Sequence, residues 1–362
     1  MKILYLITGL GVGGAERQVL DLADRLHEQG HTVKICYLTG PVLLRPKHQE
    51  IELVGLQLEK TVSGFIKGAL KLRKVIKTFD PDVVHAHMVH ANLFARLVRL
   101  TCPMKKLINT AHNTNEGGKI RMLAYRLTHS LADVTTNVTT EAVKIFEEKK
   151  AVPLGGIIAV SNGIDTNVFK ADEESRNNIR KSQGVSAHEK VILSVGRLVE
   201  AKDYENLINA FYLFSRQSTD IKLWIIGEGT ERQRLVELVE RLELSKKIVF
   251  LGIRSDVASF YNAADLYVLS SAWEGFGLVV AEAMASEKVV VATDCGGVNE
   301  VVGECGYLVP PKNAQALMNA MDKALQLTAD EAELLGRSAR QRVVENYSIE
   351  KIVEIWKGIY SS

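Results

Sequence analysis

The chain alternates short, unbroken apolar runs with longer stretches in which apolar positions recur every three to four residues. The short runs are residues 2–8, 31–38, 83–87, 106–111, 134–138 and 157–160, then 191–195, 222–226, 247–251, 266–269 and 289–292. They are rich in Val, Ile and Leu and mostly do not alternate with polar positions. That pattern predicts strands buried on both faces, hence parallel sheets with helices between the strands. Two such series predict an α/β chain of two doubly wound, Rossmann-like domains. The turn-rich Ser161-Asn162-Gly163-Ile164-Asp165 and the charged stretch after it predict the change of domain. The expected division is 1–163 and 164–345. Ile349, Ile352, Trp356 and Ile359 recur at helical spacing, so the last segment is expected to be a helix that needs an apolar surface.

Composition narrows the class. Of the 362 residues 46% are hydrophobic and 24% charged, as in an ordinary globular protein, which excludes a disordered chain or a small disulfide scaffold. No apolar run approaches the roughly 18 residues of a membrane span, and residues 1–10 read as a first strand rather than a signal peptide. Cys36, Cys102, Cys295 and Cys305 form no C-x-x-C pair, so reduced thiols in a cytoplasmic protein are expected.

Charge changes the picture more. The net +2 conceals a first part, 1–163, with 22 Lys and Arg against 14 Asp and Glu, and a remainder of −6. A basic half suggests an anionic partner. Nucleic acid is a poor candidate, because no recognition motif or interleaved aromatic pattern accompanies the charge. Over residues 65–79, Phe65, Ala69, Leu72, Ile76 and Phe79 are expected on one helical face, with Lys67, Lys71, Lys74 and Lys77 on others. Arg96, Arg99, Lys105, Lys106, Arg121 and Arg126 are expected to extend the positive surface. Two readings stay open: a solvated basic face, or contact with anionic lipid, worth about 1 kcal/mol per basic residue.

Candidate chemistry gathers at turns that follow strands. Gly9, Gly11 and Gly14 fit G-x-G-x-x-G, which invites a dinucleotide reading. That fingerprint also needs an acid at the end of the second strand, and Cys36-Tyr37-Leu38-Thr39-Gly40 has none. A backbone cradle near a ligand remains. Glu274-Gly275-Phe276-Gly277 follows the strand at 266–269 and should open a helix near Gly277, with Glu282 one and a half turns further on. A helix N-terminus between two carboxylates suits a diphosphate flanked by hydroxyl-bearing groups. Arg197 and Lys202 follow the strand at 191–195 and offer two cations for such a diphosphate. Gly227-Glu228-Gly229 and Gly296-Gly297 also follow strands.

Together these residues resemble the retaining glycosyltransferases of family 4, which have the GT-B fold. The resemblance runs through Gly13-Gly14-Ala15-Glu16-Arg17, Asp82-Val83-Val84-His85-Ala86-His87, Ala111-His112-Asn113, Val160–Asp165, Gly196-Arg197 with Lys202, Gly227-Glu228-Gly229 and Glu274-x7-Glu282. It implies two facing domains around a cleft. The second would bind a nucleotide-diphosphate sugar, and the first a glycan or polyprenyl-linked acceptor. The segment 346–362 would cross back to complete the first domain.

By the same resemblance, Arg197 and Lys202 neutralise the donor diphosphate, Glu282 receives ribose hydroxyls and Glu274 holds hydroxyls of the transferred sugar. Gly14 approaches the donor, His112 reaches the sugar near its reacting carbon, and Gly275, Phe276, Gly277, Gly296 and Gly297 line the donor pocket. His112 opens a loop, Asn113-Thr114-Asn115. No cofactor or metal is implied: His85, His87 and His90 lack the Asp, Glu or Cys pattern of a zinc site. His85 and His87 read as strand-end residues beside the acceptor or as packed histidines. The function implied is retaining hexosyl transfer in bacterial surface polysaccharide assembly, with peripheral contact to the inner face of the cytoplasmic membrane. The alternatives are a GT-B nucleotide-sugar epimerase, against which Glu274-x7-Glu282 argues, an NAD-dependent oxidoreductase, and a non-catalytic nucleotide-sugar binder.

Overall fold

Uninterrupted apolar strands can be buried only if helices cover both faces of their sheet. The computed structural model, which describes residues 1–114, 118–216 and 220–362, meets that requirement twice. The chain divides into one unit of Met1–Gly163 with Ile349–Ser362 and a second of Ile164–Ser348.

In the first unit β1 (Lys2–Ile7) leads through the glycine-rich turn into α1 (Gly14–Glu28), and β2 (Thr32–Tyr37) and β3 (Glu52–Gly55) follow. Then come α2 (Val62–Phe79), β4 (Val83–His87), α3 (Val89–Arg99), β5 (Leu107–Ala111), α4 (Lys119–Thr128), β6 (Val134–Asn137), α5 (Thr140–Glu148) and β7 (Ile158–Ala159). The sheet is parallel with order β3-β2-β1-β4-β5-β6-β7. Alternate residues of β1 enter different layers. Ile3, Tyr5 and Ile7 pack with Val19, Leu22 and Leu26 of α1, while Leu4 and Leu6 pack with Leu72, Ile76 and Phe94.

The second unit runs α6 (Glu173–Ser182), β8 (Lys190–Val195), α7 (Tyr204–Ser215), β9 (Ile221–Ile226), α8 (Arg232–Arg241), β10 (Ile248–Gly252), α9 (Val257–Ala263) and β11 (Leu266–Leu269). It ends with α10 (Leu278–Ala285), β12 (Val290–Thr293), α11 (Val298–Val302), β13 (Tyr307–Val309), α12 (Ala314–Leu325) and α13 (Ala329–Tyr347). Its sheet order is β10-β9-β8-β11-β12-β13, again parallel. In both sheets the winding direction reverses once, between β1 and β4 and between β8 and β11. Ligands of open α/β sheets bind at the carboxyl ends of the strands flanking such a reversal.

Three expectations change. The strands β3 and β13 were not expected; both are short edge strands whose residues are mostly half-buried, so they carry no continuous apolar signal. Asn346–Ser348 stay with the second unit, because Tyr347 packs edge-on against Phe276 and donates its hydroxyl to the Glu300 carbonyl at 2.7 Å. The returning helix, α14 (Ile349–Ser361), starts after an extended Ser348. Finally, the buried line of α2 is Gly64, Gly68, Leu72 and Ile76, one position away from the expected Phe65–Ala69 edge. Glycine lets the helix lie against the segment that precedes it, where a Cβ on Gly68 would stand 2.6 Å from Leu58 Cδ1, and Phe65 instead sits edge-on to Phe94.

The apolar stripe of α14 covers the α1 side of the first sheet, where Ile352, Val353, Trp356 and Tyr360 are buried. Trp356, 2% exposed, lies with its ring centroid 4.4 Å from that of His85. Replacing it with Ala is expected to destabilise the first unit by about 3–5 kcal/mol, through lost burial and a residual cavity. Chemical denaturation of the variant against the parent chain measures this, and a shift below about 1 kcal/mol would show that α14 does not close this core.

Candidate active site

The loops after β8 and β11 flank the reversal of the second sheet, and they are tied together. Ala272 N–H donates to the Ala201 carbonyl at 2.9 Å, and Ser270 Oγ to the Lys202 carbonyl at 2.9 Å. Across this seam the Lys202 ammonium forms an ion pair with Glu274 Oε1, which also accepts a 2.7 Å hydrogen bond from Ser271 Oγ. The two side chains are 17% and 13% exposed, so the pair is largely withdrawn from water. Among the described residues the other carboxylate oxygen of Glu274 receives no hydrogen bond and can accept from a ligand hydroxyl. Arg197 is exposed in the same β8 loop, and among the described residues its guanidinium has no ion-pair partner.

Glycine makes the crowding of these loops possible. A Cβ on Gly296, whose φ is +55°, would stand 2.1 Å from the Glu274 carbonyl oxygen. One on Gly227 would stand 1.9 Å from the Gly196 carbonyl oxygen. Gly297 N–H donates to the Gly275 carbonyl at 2.9 Å, so the β12 loop braces the β11 loop.

Helix α10 begins where the glycine turn was expected to open it. Gly277 is its N-cap, in the left-handed region with φ 83°, and no side chain caps the first turn. Its leading N–H groups and positive dipole end therefore suit an anion. Phe276 is buried against Tyr347 and shapes the turn from behind. Glu282 lies about 6 Å further along the helix axis. Its Oε2 is 3.0 Å from the Tyr261 hydroxyl, which also lies 3.0 Å from the Val279 carbonyl. Burial and the Glu282 charge raise the Tyr261 pKa well above its ordinary value, so the phenol remains a donor. A depression of about 480 Å³ near Asp203, Arg234 and Trp273 is lined by none of Arg197, Lys202, Glu274 or Glu282.

In the first unit Gly14 is the exposed first residue of α1, following an extended Gly13. His112 directly follows β5; Asn115, expected in its loop, lies outside the described residues. His112 Nε2 is 3.0 Å from His87 Nδ1, and burial pushes the His112 pKa down to about 4. His85 and His87 are packed histidines. His85 bridges Tyr360 at 2.8 Å and Thr110 at 2.7 Å, and burial holds both rings well below the usual imidazole range. His85, His87 and His90 do not converge as a metal cluster among the described residues.

The basic surface is smaller than expected. Arg96 is fully buried, bonded to Asn109, Tyr125, Thr128 and Thr135. Arg99 pairs with Asp133, Lys105 with Asp80 and Asp82, and Lys106 bonds the Ile359 carbonyl. Sequence reading missed Ser271 and Tyr261, the hydrogen-bond partners of the two glutamates. A serine three residues before Glu274 was a local signal; Tyr261 is brought in by tertiary packing.

Two family models match the chain, Glycosyltransferase Family 4 over residues 12–168 and Glycosyl transferases group 1 over residues 175–342. The N-acetylgalactosamine-N,N'-diacetylbacillosaminyl-diphospho-undecaprenol 4-alpha-N-acetylgalactosaminyltransferase of Campylobacter jejuni is 33% identical over 343 residues, 90% of either chain. The chain belongs to glycosyltransferase family 4. The N-acetyl-alpha-D-glucosaminyl L-malate synthase of Bacillus anthracis is 28% identical to this glycosyltransferase over 96% of this chain and 94% of that one. Among solved structures, sucrose-phosphate synthase of Thermosynechococcus elongatus superimposes with a TM-score of 0.88 at 21% identity, covering 100% of this chain and 98% of that one. Anabaena HepE in complex with UDP-glucose gives 0.88 at 22%, covering both chains fully. The shared fold is GT-B.

The buried histidines make acid a specific stress on this glycosyltransferase. An imidazole whose folded pKa is depressed contributes stability above its unfolded pKa, and that contribution is lost as pH falls toward the folded value. For His112 the window runs from 6.5 down to about 4. The thermal midpoint should fall through this window, and less steeply in His112→Gln. Equal slopes for the two proteins would contradict the depressed value.

Proposed function

We propose that the chain is a retaining hexosyltransferase, which moves a sugar from a nucleoside diphosphate donor to a glycan or lipid-linked saccharide in bacterial surface polysaccharide assembly. The observation that carries this reading is the Lys202–Glu274 pair across the β8/β11 reversal, beside the uncapped start of α10 and with Glu282 further along that helix. Diphosphate at the helix start, ribose at Glu282 and sugar hydroxyls at the open oxygen of Glu274 account for each polar group there.

In the reaction, the bond between the anomeric carbon and the diphosphate oxygen breaks, and the acceptor oxygen bonds to that carbon on the same face. The acceptor proton passes to the departing phosphate. Arg197, Lys202 and the α10 N–H groups stabilise the charge that develops on the leaving group, without a metal. His112, neutral at physiological pH, orients the sugar rather than donating a full charge. The names of the relatives support the substrate classes: HepE was solved with UDP-glucose, and the Campylobacter protein is named for an undecaprenol-diphosphate acceptor.

A lipid-linked acceptor brings the first unit to a membrane. On α2, Val62, Ile66 and Leu70 are exposed at intervals of four, among Lys67, Lys71 and Lys74. On α4, Ile120, Leu123 and Leu127 are exposed beside Lys119 and Arg126. Apolar stripes rimmed by cations suit the interface of an anionic bilayer. No described helix is long and apolar enough to cross one.

Glu274→Gln and Lys202→Ala should each lose most transfer while retaining the parent circular dichroism spectrum, and Glu282→Ala should weaken nucleoside diphosphate binding in calorimetry. Product NMR should show a retained anomeric configuration, with activity surviving chelation. Near-parent turnover in either of the first two variants, or an inverted product, would overturn the reading. Vesicles containing anionic lipid should co-sediment with the protein at low salt, less so at high salt, and more than neutral vesicles do. Equal binding to both would return these helices to ordinary solvated surface.

A further inference from the structure

The irregular stretch between β2 and β3 is held against α1 by a carboxylate. Asp24 of α1, 3% exposed, accepts the backbone N–H groups of Lys47 at 3.0 Å and His48 at 3.1 Å. That anchor sets His48 beside His27 of α1, with ring centroids 5.1 Å apart, and brings Glu50 to the same spot. One ligating atom from each of His27, His48 and Glu50 lies within 4.8 Å of the others. We propose that His27, His48 and Glu50 form a structural site for a borderline divalent transition ion of the zinc class, clasping the β2–β3 connection to α1.

The donor set fits that chemistry. Two imidazoles and a carboxylate are zinc ligands, and solvent can supply the fourth position. A tetrahedral ion with bonds of about 2.1 Å needs donor atoms roughly 3.4 Å apart, so closure asks about 1 Å of movement, which the exposed Glu50 side chain can supply. The shell behind the ligands is also in place. Glu28 Oε1 lies 3.1 Å from His48 Nε2, a carboxylate–histidine contact of the kind that holds a ligating ring in place. Glu28 is itself held by Arg25 at 2.8 Å, so it serves as a support rather than a ligand. None of these residues belongs to the donor assignment, and the site plays no part in the proposed transfer chemistry.

The test uses the full chain, freed of any purification tag and stripped of metal. Zinc is titrated in competition with a chromophoric chelator, and cobalt(II) reports coordination by its visible absorption. The expected result is one ion per chain, a tetrahedral cobalt spectrum, and a thermal midpoint raised by zinc. His27→Ala and His48→Ala should each weaken binding by about tenfold or more and abolish the thermal gain. Glu50→Gln, which leaves the Asp24 anchor untouched, should weaken it as well, and His90→Ala should not. No saturable binding, or affinity equal to the parent's in His27→Ala or His48→Ala, would overturn the site. So would an equal loss in His90→Ala. Each variant is compared with the parent by circular dichroism, so a folding defect is recognised separately from lost ligation.

Discussion

An ammonium and a carboxylate held together away from water are costly unless each finds further partners. Lys202 and Glu274 meet this constraint in the second unit, and much of the surrounding structure serves it. Ser271 supplies a hydrogen bond to the carboxylate, while Ser270 and Ala272 bind the Lys202 loop to the Glu274 loop. Gly296 lets a third loop press on the Glu274 backbone where any Cβ would collide. Removing one partner leaves the other as an uncompensated, partly buried charge. The pair is therefore a means of holding a geometry. Its open oxygen and the neighbouring helix start stay available because the protein satisfies the rest of the pair itself.

The first unit solves a different problem with neutral groups. Thr136, Thr110, His85, Tyr360 and Tyr5 form a buried chain of hydrogen bonds from β6 through β4 to α14 and back to β1. Burial keeps the imidazole uncharged and pushes the Tyr5 and Tyr360 phenols above their ordinary range, so proton donors and acceptors persist through the physiological range. The returning helix is thus held by polar contacts as well as by Ile352, Val353 and Trp356. His87 extends the polarity of this layer to His112.

The main layers of both sheets were legible because parallel strands buried on two faces leave long apolar runs. The Gly277 helix start was legible because glycine turns after strands are local signals. Lys202, Glu274, Gly296 and Gly297 were named from such turns, and the structure places them on adjoining loops. What escaped was tertiary. β3 and β13 are half-buried edges, the burial of Arg96 depends on Asn109, Tyr125, Thr128 and Thr135, and Tyr261 reaches Glu282 from another helix. On α2, Leu72 and Ile76 are buried and Ala69 and Phe79 pack beside them as expected. Phe65 alone falls outside, because the first turns face inward through Gly64 and Gly68, which contribute no apolar signal.

The central claim is that a nucleoside diphosphate binds at the carboxyl edge of β8 and β11. Amide hydrogen exchange with and without uridine diphosphate tests it most directly, because it needs neither an acceptor nor turnover. The account predicts slowed exchange in residues 196–203 and 274–282, and little change along β9–β10 or in α12. Protection that leaves both loops untouched while appearing elsewhere would contradict it.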